Sequence, residues 1–322
     1  MDAELFTRRL GRLRSELDDE GVRLPADLDL TELVLAEVEY ARHPISHEGI
    51  APRYGALLPV TPALQDDLVL AGLIDCVNID IDVVRRLADG RSSFVVRTVG
   101  ALPQLACLGR AIEYEASAVQ VADELNVIVV QRLTKGWIRM CSSDGVATWD
   151  GLRWWNAPHS SRVASAIQQK VPHIDVRIVE HLVDFCTHWL GAGRIGATLV
   201  WCPQGDPRRI KHAAFGAAVD IPPLDVTRRE HLSALHSALA QYDRAAMVDP
   251  SGSICVVGVA LRPSLWSIEA ISPFRGTRHT SAKRFSLSEP ATVTFTVSSG
   301  GSLSVFFRGD QLDLGSIPTN SH

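Results

Sequence analysis

The stretch IDVRIVEHLVDFCTHWLGAGRIGATLVWC, Ile174 to Cys202, decides how the second half of this chain folds. Ile174, Ile178, Leu182, Phe185 and Trp189 recur at steps of three and four residues, which predicts an amphipathic helix. Gly191-Ala192-Gly193 ends it, and Ile195 to Cys202 follows as an apolar, buried type of strand. Gly191, Gly193 and Gly196 also match the letters G-x-G-x-x-G. The dinucleotide fingerprint needs the order strand, glycines, helix, so that a pyrophosphate meets the positive end of a helix. Here the glycines follow a helix and precede a strand. The dipole has the wrong sign for an anion, and the fingerprint is rejected in favour of a helix end and a tight entry into a core strand.

Downstream, a helix is expected from Thr227 to Gln241, then strands Ala245–Val248 and Ile254–Leu261 across the turn Asp249-Pro250-Ser251-Gly252. A short helix after Gly276 and a hairpin, Val293–Val297 with Leu303–Phe307, complete this half. Upstream, Leu5, Leu10, Leu13 and Leu17 predict a first helix stopped at Gly21, and Thr31 reads as the cap of a second. Ile45 to Pro62, with Pro52, Pro59, Pro62, Gly49 and Gly55, reads as a loop. Phe94–Val99 and Val127–Leu133 read as strands. Trp137–Met140, Val146–Trp149 and Leu152–Trp155 read as a small meander. A boundary near residue 172 gives an α+β domain over 1–171. The domain over 172–322 is then α/β, a mixed sheet flanked by helices.

The 322 residues suit two domains, and 46% hydrophobic content is ample for packed cores. Thirty-two Lys+Arg against thirty-seven Asp+Glu, net −5, exclude a general electrostatic footprint for DNA or RNA. No apolar run reaches the ~20 residues of a membrane span, and the first twenty residues lack the apolar core of a signal peptide. A cytoplasmic protein without a membrane segment is expected. Six scattered cysteines without a CxxC pair suit free thiols in a reducing compartment. His181, Cys186 and His188 are the closest metal-like cluster, but nothing completes the ligand set, so they read as structural. Asp80 and Asp82 fit a metal pair or a helix start capped at Asp82 equally well, and Trp149, Trp154 and Trp155 read as core more readily than as a stacking platform.

The residues that carry chemistry lie in Gly276-Thr277-Arg278-His279-Thr280. With Thr277 as an N-cap, Arg278 and His279 fall in the first helical turn. Backbone N–H groups, a hydroxyl, a guanidinium and an imidazole then converge as a cradle for phosphate. Arg275 and Arg244 add cationic character nearby.

Residues 174 to about 314, nearly half the chain, resemble the diadenylate cyclase domain, the family that condenses two ATP into cyclic di-AMP. Arg194–Val200 is similar to the family's opening core strand, and Asp243-Arg244-Ala245 falls where the family has Asp-Gly-Ala. Val248–Leu261 is similar to the hairpin that follows. Gly276-Thr277-Arg278-His279 matches the start of the family's Gly-Thr-Arg-His-Arg, and the last hairpin ends in a similar Phe307–Leu312. The resemblance implies one ATP per subunit, two subunits face to face, and attack of each 3′-hydroxyl on the other nucleotide's α-phosphate. It implies Asp243 as holder of Mg²⁺ or Mn²⁺ and helper of the hydroxyl, and Thr277, Arg278 and His279 as phosphate binders. Arg244, Ala245, Gly276, Thr280 and Ser298 would line the nucleotide. A homodimer or higher oligomer follows from that mechanism, and residues 1–171 resemble sensor domains placed ahead of such cyclases.

Three positions depart from the family. Arg244 stands at its glycine, Thr280 replaces the last arginine of its Arg-His-Arg, and Ser298 is followed by Ser299 and Gly300 where it has an acidic residue. The alternative to an active cyclase is therefore a catalytically inactive sensor that binds a nucleotide or a cyclic dinucleotide.

Overall fold

The computed structural model of the chain describes residues 3–44, 52–61, 64, 69–133, 136–143, 145–158, 160–274, 276–312 and 314. Contacts divide it into two units, Met1–His159 and Ser160–His322, a division that falls ahead of residue 172. Each unit is a mixed sheet flanked by helices.

The N-terminal unit runs α1 (Ala3–Asp19), α2 (Leu28–Arg42), β1 (Tyr54–Pro59), β2 (Leu70–Asp75), α3 (Ile81–Leu87), β3 (Ser93–Val96), β4 (Gln104–Leu108), α4 (Glu115–Glu124), β5 (Val127–Arg132), β6 (Ile138–Ser142), β7 (Gly145–Trp149) and β8 (Trp154–Pro158). The strand order is β2-β4-β3-β1-β5-β6-β7-β8, with β1 and β3 parallel and the other neighbours antiparallel. Alternate residues feed two cores, as the period of two in a strand requires. Ala56, Leu58, Val95, Ile128 and Val130 pack with Leu13, Leu17, Val34 and Val38 of the first two helices. Leu57, Phe94, Val96, Val127 and Val129 pack with Ala118, Val119 and Ala122 of α4 on the other face.

The structure corrects several local expectations here. β1, with all six residues buried, lies inside the stretch expected as a loop. Gly55 is there for close packing rather than for a turn: a Cβ would stand 2.5 Å from both the Gly90 Cα and the Phe94 ring. Asp27, not Thr31, caps α2, its Oδ1 accepting the Leu30 N–H at 2.9 Å, while the buried Thr31 hydroxyl donates to the Pro25 carbonyl. Asp80, not Asp82, caps α3, and Asp82 pairs with Arg85 at 2.9 Å. Of the three tryptophans, Trp154 is core, Trp149 packs against that core beneath Arg42, and Trp155 is exposed under the Arg153 guanidinium.

The C-terminal unit runs α5 (Ser160–Lys170), α6 (Val176–Asp184), β9 (Ala197–Trp201), β10 (Ala213–Ala214), β11 (Val219–Asp225), α7 (Arg229–Gln241), β12 (Ala245–Val248), β13 (Ser253–Leu261), α8 (Leu265–Ala270), α9 (Thr277–Ser288), β14 (Val293–Val297), β15 (Leu303–Phe307) and β16 (Asp310–Gln311). α6 continues as a π-helical stretch, Phe185–Gly191, so the amphipathic segment expected from the sequence is one helix whose last turns widen. α5 packs on α6, which places it in this unit. The sheet order is β10-β13-β12-β9-β14-β15-β16, with β11 also on β13. β9 and β12 are parallel and the other pairs are antiparallel. α9 lies against β14 and β15, and its Phe285 enters a core with Val200, Met247 and Val256. Among the described residues no helix is long and apolar enough to cross a membrane.

Candidate functional site

Register alone brings the chemistry-bearing residues to one end of the C-terminal sheet. Ala245 of β12 lies beside Thr198 of the parallel β9, so Asp243-Arg244 and Gly196 sit next to each other just before their strands begin. Val297, the last residue of the antiparallel β14, pairs with Ala197, which brings Ser298 to the same end. The start of α9 completes the group. The Arg278 guanidinium lies against Gly196, where an added Cβ would overlap Nη1 and stand 3.0 Å from Cζ. Its Nη2 is 3.5 Å from Asp243 Oδ1. The Asp243 side chain is 87% exposed and that of Arg278 34%, so this ion pair faces water.

The helix start differs by one residue from the sequence expectation. Gly276, at φ 90° and ψ 170°, is the N-cap of α9, and Thr277 is its first helical residue. That backbone conformation is open to glycine and strained for other residues, which is why the loop turns into the helix here. Thr277, Arg278 and His279 therefore hold the three leading amides, which have no acceptor within the helix, and the first intrahelical bond is Thr280 N–H to the Gly276 carbonyl. Thr277 is exposed. His279 is buried, with its ring edge-on to Phe306 at 6.2 Å between centroids. Arg275 lies outside the described residues.

Thr280 and Ser298 are occupied in holding local structure. The buried Thr280 Oγ1 accepts the Phe274 N–H at 2.8 Å and can donate to the Phe274 or Gly276 carbonyl at 2.7 and 2.8 Å, which ties the preceding loop to the helix. Ser298 Oγ accepts the Ser302 N–H at 3.1 Å inside the β14–β15 turn. Ala245 is buried in β12. Arg244 is exposed and adopts φ +76°, the left-handed region that favours glycine. This chain thus places an arginine under a backbone constraint that glycine meets at little cost.

The glycines of the rejected fingerprint serve close packing. A Cβ on Gly191 would stand 2.7 Å from the Gly301 carbonyl oxygen, and one on Gly193 would stand 2.8 Å from His236 Nε2 and 2.9 Å from the Trp189 carbonyl oxygen. Gly196 was legible only as a tight strand entry, and its contact with Arg278 is the part of the site that sequence reasoning missed. None of these residues lines the surface cavity of about 450 Å³ bounded by Ile271, Phe274, Lys283, Leu287 and Arg308.

The donor set limits what the site can hold. Among the described residues no group of three His, Cys, Asp or Glu could hold a metal ion. Asp243 supplies one accessible carboxylate, which could serve a hard cation such as Mg²⁺ or Mn²⁺ that takes its other ligands from elsewhere, rather than a cage made by protein alone. Three of the cysteines are inert in character: burial pushes the Cys202 thiol up to about 12 and the Cys141 and Cys186 thiols higher still.

Solved structures similar to the chain include a double mutant of DacA from Staphylococcus aureus, at 19% identity and TM-score 0.34, covering 44% of this chain and 88% of that one. Another is a hypothetical membrane spanning protein from Bacillus cereus, at 21% identity and TM-score 0.28, covering 48% and 61%. No curated protein matches the chain. Residues 11–158, nearly the whole N-terminal unit, match the family model described as the probable sensor domain DACNK.

Proposed function

We propose that the C-terminal unit binds ATP and condenses two molecules of it into cyclic di-AMP, and that the N-terminal unit regulates this activity. The observation that carries the reading is the pairing of Asp243 and Arg278 beside Gly196, at the end of two parallel strands where a helix begins. An accessible carboxylate and a guanidinium 3.5 Å apart offer opposite charges to the two halves of a phosphoryl transfer.

In this reading Arg278 and the leading amides of α9 bind the phosphates of ATP. Asp243 orients the 3′-hydroxyl that attacks and takes up its proton. It is also the residue that would hold Mg²⁺ or Mn²⁺, which when bound with the nucleotide neutralises charge on the phosphates. Each attack forms one 3′–5′ phosphodiester bond and releases one pyrophosphate, so two ATP yield one cyclic di-AMP and two pyrophosphates. Thr277 offers its hydroxyl to the phosphates. Since the His279 ring is buried against Phe306, its contribution to the anion is its position in the first turn. One site holds one nucleotide, so turnover requires a homodimer or larger assembly. The match of residues 11–158 to a sensor-domain model supports regulation by the N-terminal unit.

The departures at Arg244, Thr280 and Ser298 favour a second reading, nucleotide binding without turnover. Incubation of purified protein with ATP and Mg²⁺ or Mn²⁺, followed by chromatographic detection of cyclic di-AMP, separates the two. Product that disappears in Asp243→Asn supports the cyclase. Tight ATP binding with no product from wild type overturns it in favour of the silent sensor.

A further inference from the structure

We infer that Gly196 is a positioning residue: it is the seat that fixes the Arg278 guanidinium against the start of β9 and so aims it at the phosphate site beside Asp243. The inference rests on the reading of Arg278 as a phosphate contact and adds the residue that sets where that contact is made. The evidence is steric. A Cβ at Gly196 would overlap Arg278 Nη1 and come within 3.0 Å of Cζ and 3.3 Å of Nη2, so the central carbon and both terminal nitrogens of the guanidinium are in reach of one missing methyl group. The guanidinium leans on the Gly196 backbone on one side and reaches Asp243 Oδ1 on another.

Gly196 differs from its neighbours Gly191 and Gly193 in what it excludes. At those two positions an added Cβ would press on backbone carbonyl oxygens, so a side chain there disturbs the fold. At Gly196 the obstacle is the far end of a flexible side chain, which can move aside. Gly196 is also absent from the glycines with positive φ, so alanine meets no backbone strain there. Gly196→Ala is therefore a substitution that the strand tolerates and Arg278 does not. A planar fork that binds phosphate through two parallel bonds loses most from a small displacement, because both bonds depend on one orientation.

A double-mutant cycle tests this. ATP affinity in the presence of Mg²⁺ is measured by calorimetry for wild type, Gly196→Ala, Arg278→Ala and the double variant of the full chain. Gly196→Ala is expected to weaken binding about tenfold, as loss of a charged hydrogen-bonding contact does. Arg278→Ala should weaken it at least as much, and the double variant should bind no worse than Arg278→Ala alone. Wild-type affinity in Gly196→Ala, or losses that simply multiply in the double variant, would overturn the assignment.

If wild type binds no ATP, the functional reading has failed, and the seat is judged by the same cycle followed by thermal denaturation, which needs no ligand. A melting temperature lowered by Gly196→Ala and restored when Arg278→Ala removes the obstacle supports it. An equal loss in both backgrounds overturns it.

Discussion

The Glu37 and Asp243 carboxylates both meet arginine, and the two contacts are built in opposite ways. In the N-terminal unit Glu37 has no exposure at all. It accepts hydrogen bonds from Arg85 Nε and Nη2 at 3.0 and 2.8 Å, from Arg97 Nη1 at 2.6 Å and from the Tyr54 hydroxyl. Arg85 also stacks over the Tyr40 ring. Every lone-pair direction of that carboxylate is used, and α2, α3, β1 and the residue that follows β3 meet on it. In the C-terminal unit Asp243 is 87% exposed and meets Arg278 at 3.5 Å. A saturated, dry cluster can only hold structure, whereas an open, weakly engaged pair has capacity left for a ligand. Openness alone does not single out a pair, since Arg209–Asp206 and Arg177–Asp175 are open too; the Asp243 pair differs in lying beside Gly196 at the start of α9.

The contrast breaks most sharply under the same edit made twice. Glu37→Ala leaves two largely buried guanidinium groups without their anion, and a loss of about 3 kcal/mol is expected in chemical denaturation of the N-terminal unit. Asp243→Asn removes the same charge from an exposed position and is expected to leave the denaturation midpoint unchanged while product formation is lost. A midpoint that drops as far for Asp243→Asn as for Glu37→Ala would erase the distinction.

Tyr54 sharpens the buried side of the comparison. Burial and the adjacent Glu37 carboxylate hold its phenol well above the ordinary tyrosine value. Tyr54→Phe should cost about 1 kcal/mol near pH 7, the usual net worth of one hydrogen bond. The sign of its pH dependence follows from the raised value. Below about pH 10 the phenol is protonated in folded and unfolded chains, and its contribution is present in full. As pH rises further the unfolded chain ionises first, so stability falls toward the folded value. Denaturation midpoints from pH 8 to 11 should show this decline in wild type and a smaller one in Tyr54→Phe. Equal slopes would remove Tyr54 from the cluster's energetics.

What the sequence disclosed follows the same division between local and distant order. The β14–β15 hairpin and β12 fall on the residues expected of them, because alternation and a Ser-Gly turn are local signals. β1 was hidden, since Pro52, Pro59 and Gly55 are loop signals locally, and only the approach of Gly90 and Phe94 explains Gly55. The Glu37 cluster joins residues 48 and 60 positions apart, which no pattern reveals. At the candidate site Arg278 was legible from the residues around it and Asp243 only through a family resemblance, and the structure places the two together. Gly196 was visible as a glycine, but its reason lies in a side chain from a distant helix. The helix cap moved by one residue because a glycine at φ 90° sets the boundary more strongly than the hydroxyl of Thr277.

The smallest effect concerns Arg244, where the open site carries a cost of its own. At φ +76° a side chain costs roughly 1 kcal/mol, and glycine recovers it less the entropy that glycine adds to the unfolded chain. Arg244→Gly should therefore stabilise the C-terminal unit by about 0.5 kcal/mol, read as a small rise in the denaturation midpoint. Under the proposed cyclase activity, the rate of cyclic di-AMP formation in the variant separates two roles for the arginine. A faster variant marks Arg244 as a brake that crowds the nucleotide, in line with the glycine of the family it resembles. A slower one marks it as a further phosphate contact for which the chain accepts a strained backbone. A lower midpoint would show that the Arg244 side chain stabilises the unit by more than its strain costs, and the exposed end of the sheet would then owe part of its order to charge, as the Glu37 cluster does.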